Sequence, residues 1–172
     1  MFKRLKGSIF LLLMVMVVSA CSAKLEVSKE KEVVENAQTV VGETEVKENL
    51  GMADVEALAA SDGSPTEKAD AAEGIARKYK PTADELVSFQ EYIVAEYKNK
   101  KYLGDIDNAS YMLVNIFKSV VVERNNEEGS PVAKFAYDFY QNTKYTYRGA
   151  DAVDSDSVKS NESQMEKSLA KM

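Results

Sequence analysis

Acidic side chains on the predicted helices are the residues of this chain best suited to acid/base catalysis. Glycan hydrolases use two carboxyl groups about 5–10 Å apart, one to donate a proton and one to attack or to activate water. The candidates are Glu91, Glu96, Glu123 and Asp138. Each occupies a position where the helical pattern predicts exposure to solvent, so we expect no catalytic residues and no enzyme.

Composition excludes several other kinds of catalytic centre. The chain has no His and one Cys, so it cannot assemble the usual zinc, haem or iron–sulfur ligand sets, or a Ser-His-Asp or Cys-His pair. Its eight glycines are also too widely spaced for a glycine-rich phosphate loop, since no two lie within four residues of each other.

Two acidic segments resemble cation-binding loops only in part. Segment 105–109 begins like a calcium loop, but Ala109 stands at its fifth position and Ser110 at its sixth, where glycine is needed. The second segment has three acidic residues whose spacing fits no known loop: Asp151, Asp154 and Asp156. Helix N-caps explain both segments better, and we expect neither a metal nor another cofactor.

A cluster of tyrosines is the best candidate for a binding patch. It consists of Tyr137, Tyr140, Tyr145 and Tyr147. Tyr137 and Tyr140 flank the apolar stripe of a predicted helix instead of lying at its centre. Tyrosine supplies a large contact area and a hydroxyl at low entropic cost, which is why it is enriched in interfaces. The more common alternative is that these rings close the edges of a small core that has no tryptophan.

The N-terminus has the organisation of an export signal. Three basic residues, Lys3, Arg4 and Lys6, precede an unbroken apolar run of ten residues from Ile9 to Val18. As a helix this run is about 15 Å long, roughly half of the ~30 Å hydrocarbon core, so a permanent membrane span is disfavoured. Basic residues followed by a short apolar run are typical of a signal peptide.

The next tetrapeptide, Val18-Ser19-Ala20-Cys21, resembles the lipobox of bacterial lipoproteins. The resemblance covers residues 1–21 alone. It implies transfer of a diacylglyceryl group to the sulfur of Cys21, cleavage between Ala20 and Cys21, and a mature chain anchored by its acyl chains. Two alternatives remain open, an ordinary secreted protein and an uncleaved single-span anchor.

Charge and cysteine content limit the partners of such a chain. Removal of residues 1–20 takes away three positive charges and changes the formal net charge from −6 to −9. An acidic protein is a poor ligand for nucleic acids or anionic lipid head groups, so we expect membrane contact through the lipid on Cys21 and no nucleic acid. Without a second Cys, the folded part has no intramolecular disulfide.

Composition changes sharply along the mature chain. Residues 22–78 contain no Phe, Tyr or Trp, whereas all nine Tyr lie from Tyr79 onward. The first segment is rich in Lys, Glu, Ala, Val, Ser and Thr, and buries too little to offset the entropy of ordering. We therefore predict a disordered or weakly helical linker over 21–80, with weak helix in 52–60 and 67–78, and a folded domain over 81–172.

Apolar residues recur at helical spacing in four segments of that domain. The predicted helices span 82–98, 107–123, 130–142 and 155–171. Val120, Val121 and Val122 also allow a short buried strand, because β-branched residues favour strands. Residues 144–149 alternate like a strand without a partner and are predicted to form a loop or edge. The last helix should dock loosely, since Asn161 and Glu162 stand where an apolar residue would belong.

These patterns predict an all-α protein, a small three- or four-helix bundle preceded by a long disordered tether. The predicted function is that of a lipid-anchored module on the extracytoplasmic face of a bacterial membrane, or on an outer membrane where there are two. Its expected partner is an envelope protein or a wall component. The alternatives are an envelope hydrolase that uses carboxylates and a passive structural component of the envelope.

Overall fold

The described part of the chain is all-helical and contains no strand. The structure is a computed structural model that describes residues 50–172. Six helices follow one another along the chain: α1 (Leu50–Ala59), α2 (Pro65–Lys78), α3 (Ala83–Lys98), α4 (Ala109–Arg124), α5 (Pro131–Tyr147) and α6 (Asp156–Leu169). The all-α fold class is therefore confirmed, and the helices pack as a bundle around one core.

Polar caps set the start of each helix from α2 onward. The capping box predicted at α3 forms, because the Thr82 hydroxyl accepts from the amide of Glu85 and the Glu85 carboxylate accepts from the amide of Thr82. The side-chain caps of α4, α5 and α6 are Asn108, Ser130 and Ser155. Helix caps thus account for Asn108 in the segment 105–109. The cap Ser155 lies within the second acidic segment, whose Asp156 is the first residue of α6.

Helix α4 is the central element, as its apolar pattern predicts. It contacts α1, α2, α3 and α5. Its side chains are buried on more than one face, and Val120, Val121 and Val122 are helical and nearly inaccessible to solvent. The strand alternative is not realised, since burial on all sides outweighs the weak helical propensity of valine.

Helices α1 and α2 belong to the core, so the predicted start of the domain at residue 81 is too late. Both helices pack against α4, and three alanines of α2 are buried: Ala69, Ala72 and Ala76. In α1, a Cβ added to Gly51 would lie 2.6 Å from Cδ2 of Tyr79, so only glycine permits this approach. The bundle has six helices where three or four were predicted. Residues 21–49 of the linker predicted over 21–80 lie outside the described residues.

Helix α5 continues to Tyr147, so the loop predicted for 144–149 is wrong in most of its length. Thr146 lies within this segment and Thr143 directly precedes it, so two threonines stand in the last turns of α5. The hydroxyl of Thr143 donates to the carbonyl of Phe139 at 2.5 Å, and that of Thr146 donates to the carbonyl of Asn142 at 2.7 Å. These bonds satisfy the threonines inside a helix. The helix ends before Gly149, which has a φ of 70°.

Helix α6 is docked through polar contacts where loose docking was predicted. Asn161 donates to Oδ1 of Asn142 at 2.7 Å, and the Tyr102 hydroxyl donates to the Glu162 carboxylate at 2.8 Å. Asn142 in turn donates to the Tyr102 hydroxyl and to the carbonyl of Val158. Asn161 and Glu162 interrupt the apolar stripe of α6 because their partners are polar groups of α5 and of the chain between α3 and α4.

We expect Ala72→Leu to lower the free energy of unfolding by about 1–3 kcal/mol, because extra methylenes cannot enter a packed interface without displacing neighbours. Ala71, one position earlier on α2, is exposed, and Ala71→Leu should change stability by less than about 0.5 kcal/mol. Urea denaturation followed by circular dichroism measures both. Equal midpoints for the two variants would contradict the packing of α2 in the core.

Candidate functional site

The four tyrosines of the predicted patch do not share one exposed surface. Tyr140 and Tyr147 are buried, while Tyr137 is 50% and Tyr145 is 38% exposed. The rings of Tyr137 and Tyr140 lie 6.3 Å apart, whereas Tyr145 lies beside the guanidinium of Arg148. Tyr140 and Tyr147 therefore close the edge of the core, which is the alternative reading of the cluster, and only Tyr137 and Tyr145 can meet a partner directly.

Tyr140 belongs to an ion-pair network that joins α2 to α5. Its hydroxyl donates to the Glu73 carboxylate, and the Lys144 ammonium lies 2.5 Å from the same carboxylate and 2.7 Å from Asp70. Arg77 pairs with Glu73 from the solvent side. Sequence patterns did not indicate this network, because its members lie about 70 residues apart in the chain.

The network holds Glu73 in its charged form. Burial alone raises the pKa of Glu73, but the hydrogen bonds from Lys144, Tyr140 and Arg77 outweigh it, and the pKa falls to about 2. The Lys144 ammonium is affected in the opposite sense: burial lowers its pKa, while its bonds to Asp70, Glu73 and Tyr140 raise it above the ordinary value. All the charges at this junction are thus paired, which marks it as structural.

A groove at one end of the bundle has a volume of about 920 Å³. We call it the α5/α6 groove. Its walls are the end of α4 and the loop after it, the first half of α5, and the second half of α6. Tyr137, the most exposed of the four tyrosines, lies on its wall. The volume is within the range of small-molecule sites.

Asp138 lines this groove and is buried, so the prediction that it faces solvent is wrong. It is 7% exposed and makes no hydrogen bond or ion pair within residues 50–172. Burial raises the pKa of Asp138 to about 6, since no paired cation offsets the loss of water. The pattern of α5 alone could not reveal this burial, because it depends on the helices that pack against α5, which include α4 and α6.

Ser168 of α6 lines the same groove and is also 7% exposed. Its hydroxyl has no hydrogen-bond partner in the part of the chain described. The fully buried side-chain atoms without a partner in residues 50–172 are Oδ1 of Asn115 and Nε of Arg148, so the unpartnered oxygens of Asp138 and Ser168 keep contact with solvent in the groove. The groove therefore offers a carboxylate and a hydroxyl whose partners are not supplied by residues 50–172.

The charged side chains around the groove are unpaired as well. They are four cations and two anions: Arg124, Lys134, Lys167, Lys171, Glu123 and Glu128. All four ion pairs found between described residues lie at the α2/α5 junction, and none involves these six side chains. The groove thus carries charges of both signs, and none of these six side chains is held in an ion pair within the described residues.

Among the predicted carboxylate candidates, only Glu123 and Asp138 line the α5/α6 groove. Glu91 is exposed on α3, and Glu96 on the same helix accepts a hydrogen bond from the Tyr111 hydroxyl. Both lie outside the groove. In residues 50–172 no three acidic or Cys side chains come close enough to hold a metal ion. Ala20 and Cys21, the predicted cleavage and lipidation residues, lie outside the described residues.

Comparisons with protein families, with curated proteins and with solved structures find no match to this chain. Within residues 50–172, no helix combines the length and the apolar character that crossing a membrane requires.

Because Asp138 is buried and unpaired, Asp138→Asn should stabilise the fold. A pKa raised above the ordinary value of 3.8 means that the ionised carboxyl destabilises the folded state above about pH 6. We expect the variant to gain on the order of 1–3 kcal/mol at pH 8, and to lose most of this gain at pH 4, where Asp138 is protonated in the folded wild type.

Urea denaturation at the two pH values measures this difference. Glu91→Gln removes an exposed carboxylate from α3 and serves as the matched control, with little change expected at either pH. A variant Asp138→Asn that is less stable than the wild type at pH 8 would mean that the carboxylate has a structural partner after all.

Proposed function

We propose that this protein is a lipid-anchored binding module of the bacterial cell envelope and that the α5/α6 groove is its binding surface. The observation that carries the proposal is the pair of buried side chains, Asp138 and Ser168, that line the groove without partners. Both residues are 7% exposed, and their unpartnered oxygens are still accessible from the groove, so a ligand there can reach them.

The position of Tyr137 supports the same surface. Its ring is half exposed on the groove wall and contacts the ring of Tyr140, which is itself held by Glu73. A partner would therefore meet an aromatic side chain backed by a fixed neighbour. Aromatic residues next to buried polar groups are typical of the central part of binding sites.

The anchor part of the proposal rests on the lipobox-like residues that end at Cys21. We expect Cys21→Ser to release the protein from the membrane fraction, or to leave an unprocessed precursor, because the sulfur is the site of lipid attachment. Fractionation of cells, together with mass spectrometry of the mature N-terminus, measures this. A processed Cys21→Ser chain that stays wholly in the membrane fraction, or an unmodified sulfur on the mature wild type, would contradict the anchor.

The binding part is tested by placing a photo-crosslinking amino acid at position 137 of the full-length lipoprotein in its own cells. We expect one defined envelope adduct at this position, identified by mass spectrometry. The adduct should fall at least fivefold when Lys167→Glu and Lys171→Glu reverse two charges of the groove wall. These two lysines are exposed, so the double change should leave the fold intact.

The matched control places the same crosslinker at Val87, which is 55% exposed on α3 and lies outside the groove. It should give no such adduct. Equal yields at 87 and 137, or an adduct at 137 that is indifferent to the charge reversal, would mean that the groove does not bind the partner. A passive structural component of the envelope would give that result.

An envelope hydrolase is the second candidate, and one observation favours it. Glu123 and Asp138 line the same groove, and Asp138 has a pKa of about 6, which suits a general acid at neutral pH. Release of soluble fragments from purified cell wall, lost in both Glu123→Gln and Asp138→Asn, would favour hydrolysis. Unchanged cell wall together with a groove-dependent adduct would favour binding alone.

A further inference from the structure

We propose that the α5/α6 groove recognises a short peptide through a primary ammonium group, which Asp138 and Ser168 receive, while the groove's cations receive neighbouring carboxylates of the same peptide. This inference rests on the proposed binding function and names the class of ligand. It begins from the two buried acceptors, which lie on facing helices and line one groove.

The two acceptors call for a donor that carries positive charge. An ionised carboxylate accepts only, and a serine hydroxyl accepts through its lone pairs. A neutral donor would leave the charge of Asp138 uncompensated, whereas an ammonium group supplies three N–H donors and the opposite charge. A charged hydrogen bond in a nine-tenths buried position is stronger than the same contact at the surface.

A divalent metal ion fits this arrangement less well. Calcium takes six to eight oxygen ligands and usually several carboxylates. Within residues 50–172 no group of three acidic side chains is close enough to hold a metal. Asp138 has one carboxylate to offer, which matches the single charge of an ammonium group.

The wall charges determine what else the ligand carries. Arg124, Lys134, Lys167 and Lys171 outnumber Glu123 and Glu128 on the wall and form no ion pair with them, so the wall favours carboxylates over a polyamine. A phosphate or another simple anion would have to approach the buried carboxylate of Asp138 without compensation. A molecule with both an ammonium group and carboxylates satisfies the two sets of charges, and a peptide with a lysine between acidic residues is the simplest such molecule.

The size of the groove favours a peptide over a single amino acid. A volume of about 920 Å³ is near the upper end of the range for small-molecule sites. The groove is lined from three helices and a loop, which lets a peptide contact Asp138 and the exposed lysines with different residues. The exposed ring of Tyr137 offers it an apolar contact.

The test uses the purified full-length lipoprotein in detergent and isothermal titration calorimetry. The probe is a pentapeptide with blocked ends, a central lysine, a glutamate at each end and alanines between. A second peptide differs only by acetylation of the lysine, and a third has glutamine in place of both glutamates. We expect measurable binding of the first peptide at pH 7.5 and at least tenfold weaker binding of the other two.

Protein variants assign the contact to its atoms. Asp138→Asn should weaken binding of the lysine peptide at least tenfold and leave the weak binding of the acetylated peptide unchanged. Ser168→Ala should weaken the lysine peptide by a smaller factor of about three, and it provides a second variant should Asp138→Asn alter the fold. Glu91→Gln, an exposed carboxylate outside the groove, should have no effect.

Equal affinity for the lysine and acetyl-lysine peptides, or no binding of the lysine peptide at millimolar concentration, would overturn the ammonium site. The crosslinking result then separates the two proposals. A groove-dependent adduct at position 137 without peptide binding would leave the binding function standing and remove only this ligand class. Loss of both results would remove the function as well.

Discussion

Helix α4 must be covered on nearly every side, and the rest of the bundle follows from that constraint. Its apolar side chains point in all directions, including three consecutive valines that are nearly inaccessible to solvent. A helix of this kind is stable only when neighbours surround it. Helices α3 and α5 cover part of its surface, and α1 and α2 cover the remainder. Residues 50–80 are therefore part of the folded bundle although their composition resembles that of a linker.

Local signals predicted the elements that carry them, and failed where a partner decides the outcome. The caps and apolar stripes of α3, α4 and α6 lie within the helices they define, so their ends could be predicted. Helix α2 has a capping box too, but its buried face is made of alanines, which are weakly hydrophobic by themselves. Alanine is buried here because it allows close approach to α4. The end of α5 was missed because its threonines bond to carbonyls of the preceding turn, a contact that alternation of polarity cannot show.

Two carboxyl groups, the half-buried Glu73 of α2 and the buried Asp138 of α5, show how far a site depends on packing. Glu73 accepts from three donors and has a pKa of about 2, while Asp138 accepts from none and has a pKa of about 6. Both residues lie on helices whose apolar residues are concentrated on one face. The difference arises from the neighbours, since Lys144 and Tyr140 face Glu73 and no cation pairs with Asp138. Sequence could name Asp138 and Tyr137 as candidates, but the burial of one and the exposure of the other depend on how α6 packs.

The α2/α5 junction and the α5/α6 groove differ in how their charges are paired, and this difference also bears on function. A chain with a net charge of −6 has more acids than bases, so unpaired cations should be scarce. At the α2/α5 junction the cations are indeed paired, three of them with two acids. Around the groove, four cations stand beside three acids, and none of the seven forms an ion pair within the described residues. The groove is thus locally positive on an acidic protein, and its field would select carboxylates at short range. Since Asp138 opposes that selection at the buried position, the two features together favour a ligand with charges of both signs over any simple anion or cation.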